Sequence, residues 1–128
     1  MQAFELSQLL SESERTGDVQ YAEFLRHPSL SMGVYSLAAG AIDPQQPHTE
    51  DEVYYIVSGQ GSFRSGNEQH LVKAGSVLFV PAKEEHRFFN ITEDLTIMVF
   101  FAPAENSQAA PEENRQPAQT VQNSTSAS

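Results

Sequence analysis

Two histidines and one glutamate carry the chemistry this sequence can do. Glu52 opens the apolar run EVYYIVS (52–58), His48 lies four residues before it, and His86 opens HRFFNI (86–91). Side chains alternate between the two faces of a strand. If Glu52 faces inward, Tyr54 and Ile56 do too; if His86 faces inward, so do Phe88 and Asn90. A carboxylate and an imidazole buried among aromatic and aliphatic groups are each costly alone. They become reasonable if they share a cation; without one they form a hydrogen-bonded polar cluster. His27, beside Pro28, and His70, in the polar segment NEQH, read as surface residues.

The elements that must position these groups are short. VQYAEFL (19–25), SMGVYSLA (31–38), EVYYIVS (52–58), QGSFRS (60–65), SVLFV (76–80), HRFFNI (86–91) and LTIMVFFA (95–102) are rich in β-branched and aromatic residues. Gly, Pro, Asn, Asp or Ser separates most of them, which predicts an all-β antiparallel sandwich or barrel. Ser58–Gly61 and Ser65–Glu68 read as hairpin connections. Residues 1–17, with Phe4, Leu6, Leu9 and Leu10, read as a short helix or arm. The barrel domain is expected over residues 18–104. Residues 105–128 hold one large apolar residue, Val121, and are expected to form a disordered tail.

Against this pattern the chain resembles a small single-domain cupin. Gly40, Gln46, His48, Glu52 and Gly59 fall at the spacings of the family's first motif; Gly75, Pro81, Lys83, His86 and Asn90 fall at those of its second. Both matches are ungapped. The resemblance covers roughly residues 18 to 102 and implies an antiparallel double-stranded β-helix, the jelly-roll or cupin barrel. It also implies a divalent metal (iron, zinc, manganese or nickel) on His48, Glu52 and His86. Gln46 stands where the family has its first metal histidine. It would add a neutral oxygen ligand, or hydrogen-bond a metal-bound water or substrate. Lys83 replaces the second motif's glycine, which predicts a slightly different turn. Glu50 is the nearest spare carboxylate, expected to be solvated, as is Asp51.

Two histidines and a carboxylate leave coordination positions open. The set suits iron(II) in dioxygenases and catalytic zinc with a bound water. Alternation puts Tyr54 and Phe88 beside the ligands, and the Tyr54 hydroxyl is expected to position a substrate or act as acid or base. The expected activity is a metal-dependent dioxygenase acting on a small organic substrate. The alternatives are a module that binds a sugar or organic acid, and a metal-free sugar isomerase or epimerase with His86 as base.

Bulk properties narrow the partners. A formal net charge of −10 in 128 residues argues against nucleic acid and anionic membranes. With no cysteine, disulfide and thiolate chemistry are excluded. The N-terminus lacks the basic and apolar regions of a signal peptide, and no run is long enough to span a bilayer, so a cytoplasmic location is expected. Outward-facing Val53, Tyr55 and Val57 predict a homodimer.

Overall fold

The computed structural model describes residues 1–14 and 16–108. Of the tail expected over residues 105–128, residues 109–128 lie outside them. One helix, α1 (Leu6–Glu12), precedes six strands: β1 (Val19–His27), β2 (Leu30–Leu37), β3 (Asp51–Ser65), β4 (Glu68–Lys73), β5 (Val77–Val80) and β6 (His86–Ala102). The strand order is β1-β2-β6-β3-β4, with β5 also paired to β3 and every pairing antiparallel. The arm is anchored where Phe4 meets the Phe24 ring edge-on, 5.0 Å between centroids.

The expected run of seven short strands is corrected at three points. EVYYIVS and QGSFRS are one strand, β3, and HRFFNI and LTIMVFFA are one strand, β6. The predicted hairpin at Ser58–Gly61 is an irregularity within β3, where its register against β6 shifts. Gly59 causes the misreading: it looks like a turn, and it does take φ +101, but as a bend. A Cβ there would stand 2.1 Å from the Asp94 carbonyl oxygen, so only glycine lets the two long strands cross this closely. The polar segment 68–73 is itself a strand, closed onto β3 through the hairpin expected at Ser65–Glu68.

Inward residues of both long strands form the core. Tyr54, Ile56 and Phe63 from β3 meet Phe88, Ile91, Leu95, Ile97, Val99 and Phe101 from β6. Alternation holds for Glu52, Tyr54 and Ile56 and for His86 and Phe88, all buried. It fails at Asn90, which takes φ 48 and is exposed; Ile91 turns inward in its place.

Candidate metal centre

Glu52 sits at the start of β3, His86 at the start of β6, and His48 in the connection before β3. Hydrogen bonds join the two segments that carry the histidines. The Lys83 N–H donates to the His48 carbonyl at 2.6 Å, and the Ala82 N–H donates to Asp51 Oδ1 at 2.8 Å. Lys83 adopts φ 70, the left-handed conformation natural to the glycine it replaces. The lysine therefore carries backbone strain in this turn.

All three side chains are buried, and one potential ligand atom from each lies within 4.8 Å of the others. Glu52 Oε1 is 3.0 Å from His86 Nε2 and 3.3 Å from His48 Nδ1. Donors on a common ion ~2.0–2.2 Å away stand roughly 3–3.5 Å apart, so the spacing fits a shared divalent cation. His48 Nδ1 is buried and makes no hydrogen bond despite its nearness to Glu52. With both of its nitrogens 3.3 Å from carboxylate oxygens, His48 is held in place, and Nδ1 is the nitrogen turned toward Glu52. The residues present fit the metal.

The far nitrogens of both rings also have partners. His86 Nδ1 lies 2.8 Å from the Glu84 carbonyl oxygen, which leaves Nε2 free to face Glu52. His48 Nε2 is 3.3 Å from Glu105 Oε2, and the Phe101 ring packs on its imidazole, 4.8 Å between centroids. Burial depresses the His48 pKa, but the Glu105 and Glu52 carboxylates outweigh it and hold it at about 9. Burial raises Glu52, but His48 and His86 overcome this and hold it at about 2. His86 is likewise raised, burial being outweighed by Glu52.

Gln46 does not join this group. It is exposed, in a polar groove that it lines with Pro47, Arg64 and Asn67 and that Gln45 and His86 also line. Its neighbour Gln45 is buried, with Oε1 3.0 Å from the Tyr54 hydroxyl and 3.3 Å from His86 Nε2. Asp43 sets this one-residue difference. Its carboxylate, buried against Phe88, accepts from the Phe88 N–H at 2.8 Å, the Gln45 N–H at 3.2 Å and the Tyr35 hydroxyl at 2.5 Å. The connection is pinned so that residues 43, 45 and 48 face inward.

Tyr54 lies beside the ligands, as its strand position predicts. Its hydroxyl is 2.9 Å from Glu52 Oε2. Burial, then the Glu52 charge, raises its pKa well above the ordinary value, so it stays a neutral phenol and serves as a donor.

Two further carboxylates overturn expectation. Glu50 is 1 % exposed rather than solvated, because its oxygens accept the N–H groups of Asn106 at 2.9 Å and Gln108 at 3.0 Å. Glu105, assigned by sequence to the tail, is buried against His48. No sequence pattern singles out Glu105, since its segment is polar and follows the last strand. His27 and His70 are exposed, as expected.

A double-stranded β-helix with an interior His–Glu–His cluster is the architecture of a cupin. The cupin domain family matches residues 33–102, more than half of the chain, and the chain belongs to that family. It is 46 % identical over 107 residues to an uncharacterized protein of Streptomyces coelicolor, covering 83 % of this chain and all of that one. Among solved structures it resembles TT1209 from Thermus thermophilus, with a TM-score of 0.67 and 22 % identity, covering 81 % of this chain and 99 % of the other. The DMSP lyase DddQ from Ruegeria pomeroyi shares the fold, with a TM-score of 0.62 and 19 % identity, covering 72 % of this chain and 52 % of that one. Among the described residues, no helix is long and apolar enough to cross a membrane.

Proposed function

We propose that this cupin is metal-dependent, with one divalent ion held by His48, Glu52 and His86 and a small organic substrate as its target. The convergence of three buried donors, with Glu52 Oε1 3.0 Å from His86 Nε2 and 3.3 Å from His48 Nδ1, carries this reading. With iron(II) bound, such a donor set supplies dioxygen chemistry. The chain's own groups have distinct tasks. The Glu84 carbonyl fixes which His86 nitrogen faces the ion, and the Tyr54 hydroxyl holds the second oxygen of Glu52. Gln45 replaces Gln46 as the neutral oxygen facing the centre. Oxygen uptake by iron(II)-loaded protein, measured against small organic acids and sugars, tests the reading. Uptake that survives Glu52→Ala unchanged contradicts it.

A second reading, a module that binds a small ligand without turnover, draws support from the polar groove of about 490 Å³ that Gln45, Gln46, Arg64 and His86 line outside the closed interior. The cavity between Tyr21, Glu52, Tyr54 and Glu105 is about 10 Å³, room for one water-sized occupant. A ligand that raises the melting temperature without being consumed would favour it. Metal-free sugar isomerisation fits less well. Burial lowers the His86 pKa, but Glu52 outweighs it and raises the pKa, which favours the protonated ring over the free imidazole that a base requires.

The homodimer remains our proposal for the outer face. Tyr55, Val77 and Phe79 are exposed there, and Val53 and Tyr55 pair with Phe79 and Val77 across β3 and β5. Sedimentation at micromolar concentration that finds only monomer would remove it.

A further inference from the structure

Glu105 reaches the centre from a segment that does no work in either motif. Residues 104–108 cross the end of the barrel, and polar contacts from several elements tie them down. The Glu105 N–H donates to the fully buried Ser31 hydroxyl at 2.8 Å, and the Arg26 guanidinium donates to the Glu105 carbonyl at 2.7 Å. The Ala104 N–H donates to the Pro28 carbonyl at 3.3 Å, and Glu50 takes the N–H groups of Asn106 and Gln108. A segment fixed at this many points holds its side chains in defined places. It places the Glu105 carboxylate inside, with Oε2 3.3 Å from His48 Nε2.

We propose that Glu105 is a positioning residue of the metal centre: it accepts a hydrogen bond from His48 Nε2–H, so that Nδ1 presents its lone pair to the ion. This rests on the metal reading above. Three observations support it. His48 turns Nδ1 toward Glu52 Oε1, which also meets His86 Nε2, while its opposite nitrogen meets a separate carboxylate, Glu105, at the same 3.3 Å. A metal-binding histidine characteristically gives its other N–H to a carboxylate or carbonyl, and His86 already does so with Glu84. The charges also match. Among the described residues, Glu52 and Glu105 are the two carboxylates that touch His48 and His86, and together they balance a divalent ion. The other buried acids, Asp43 and Glu50, are committed to Tyr35 and Phe88 and to the 104–108 segment.

Zinc titration calorimetry on the full chain tests this, comparing wild type with Glu105→Gln and Glu105→Leu. Loss of the acceptor in Glu105→Leu should weaken zinc binding by roughly 10–100-fold. Glu105→Gln retains an oxygen that accepts a hydrogen bond from Nε2–H and should lose less. A residue that merely plugs the barrel end would not discriminate between the two. Nitrogen-15 spectra of the zinc-loaded wild type provide a readout independent of either variant's folding. They should show His48 protonated at Nε2 and metal-bound at Nδ1. Zinc bound through His48 Nε2, or equal affinity in wild type and Glu105→Leu, overturns the proposal while leaving the metal centre standing. A wild type that binds no zinc removes the metal centre and this proposal with it.

Discussion

Glu52 Oε1 meets His86 Nε2 at 3.0 Å across the interior of the barrel, not along its sheet. The pairing partners of Glu52 are Phe101 and Val80, and that of His86 is Ser65, so neither residue is the other's neighbour in a ladder. The contact exists because two long, bent strands each send one polar side chain inward from an end. The Lys83 N–H, bonded to the His48 carbonyl, brings His48 alongside.

Gln45 and Gln46 give the sharpest local test of the site. Replacing buried Gln45 with alanine strips Tyr54 and His86 of a polar partner and should cost about 1–3 kcal/mol of stability, with weaker metal binding. Gln46→Ala should change stability by less than about 0.5 kcal/mol and leave metal affinity intact. Chemical denaturation and zinc titration of both variants measure this. Equal effects would contradict the assignment.

The ionisation of the cluster gives the metal-free protein a defined pH window. His48 is raised from 6.5 to about 9, so its contribution is complete below pH 6.5 and is lost as pH rises through 9. Glu52 is lowered from 4.5 to about 2, so its contribution is present above pH 4.5 and is lost as pH falls through 2. Both operate between about pH 4.5 and 6.5. Thermal melts of chelator-treated protein should show the cluster's stabilisation there and a decline toward pH 9, absent in His48→Ala. A profile from pH 6.5 to 9 that is the same in both proteins would contradict this.

Glu50 fastens the segment that carries Glu105. Glu50→Ala leaves the N–H groups of Asn106 and Gln108 without their acceptor and should destabilise the protein by ~2 kcal/mol. Hydrogen exchange should rise at those two amides. Unchanged exchange there would mean that Glu50 does not hold the segment.

Lys83 carries backbone strain that glycine would not. Lys83→Gly removes the cost of a side chain at φ 70 and should raise stability by roughly 0.5–1 kcal/mol without altering metal affinity. A loss of stability in denaturant would show that the lysine side chain contributes packing that outweighs the strain.

The triad was legible because both motifs keep their spacing in the linear sequence, and alternation along β3 placed Glu52 and Tyr54 on one face. The length of the strands was not, because Gly59 reads as a turn when its role is to let β6 pass close by. The inward turn of Gln45 was hidden because it depends on Asp43 binding the Phe88 N–H, a contact between distant segments. The burial of Glu50 and Glu105 was hidden for the same reason. Each is satisfied by partners from the other end of the chain, which a polar, Pro-bearing stretch after the last strand does not reveal.

Metal content measures the central claim most directly. The protein should be purified without chelator or nickel affinity and analysed for metals beside Glu52→Ala and His48→Ala. The wild type should carry about one divalent ion per chain, and both variants should lose it. A wild type with near-zero metal even after loading, or a His48→Ala variant that retains the ion in full, would contradict a centre built on His48, Glu52 and His86.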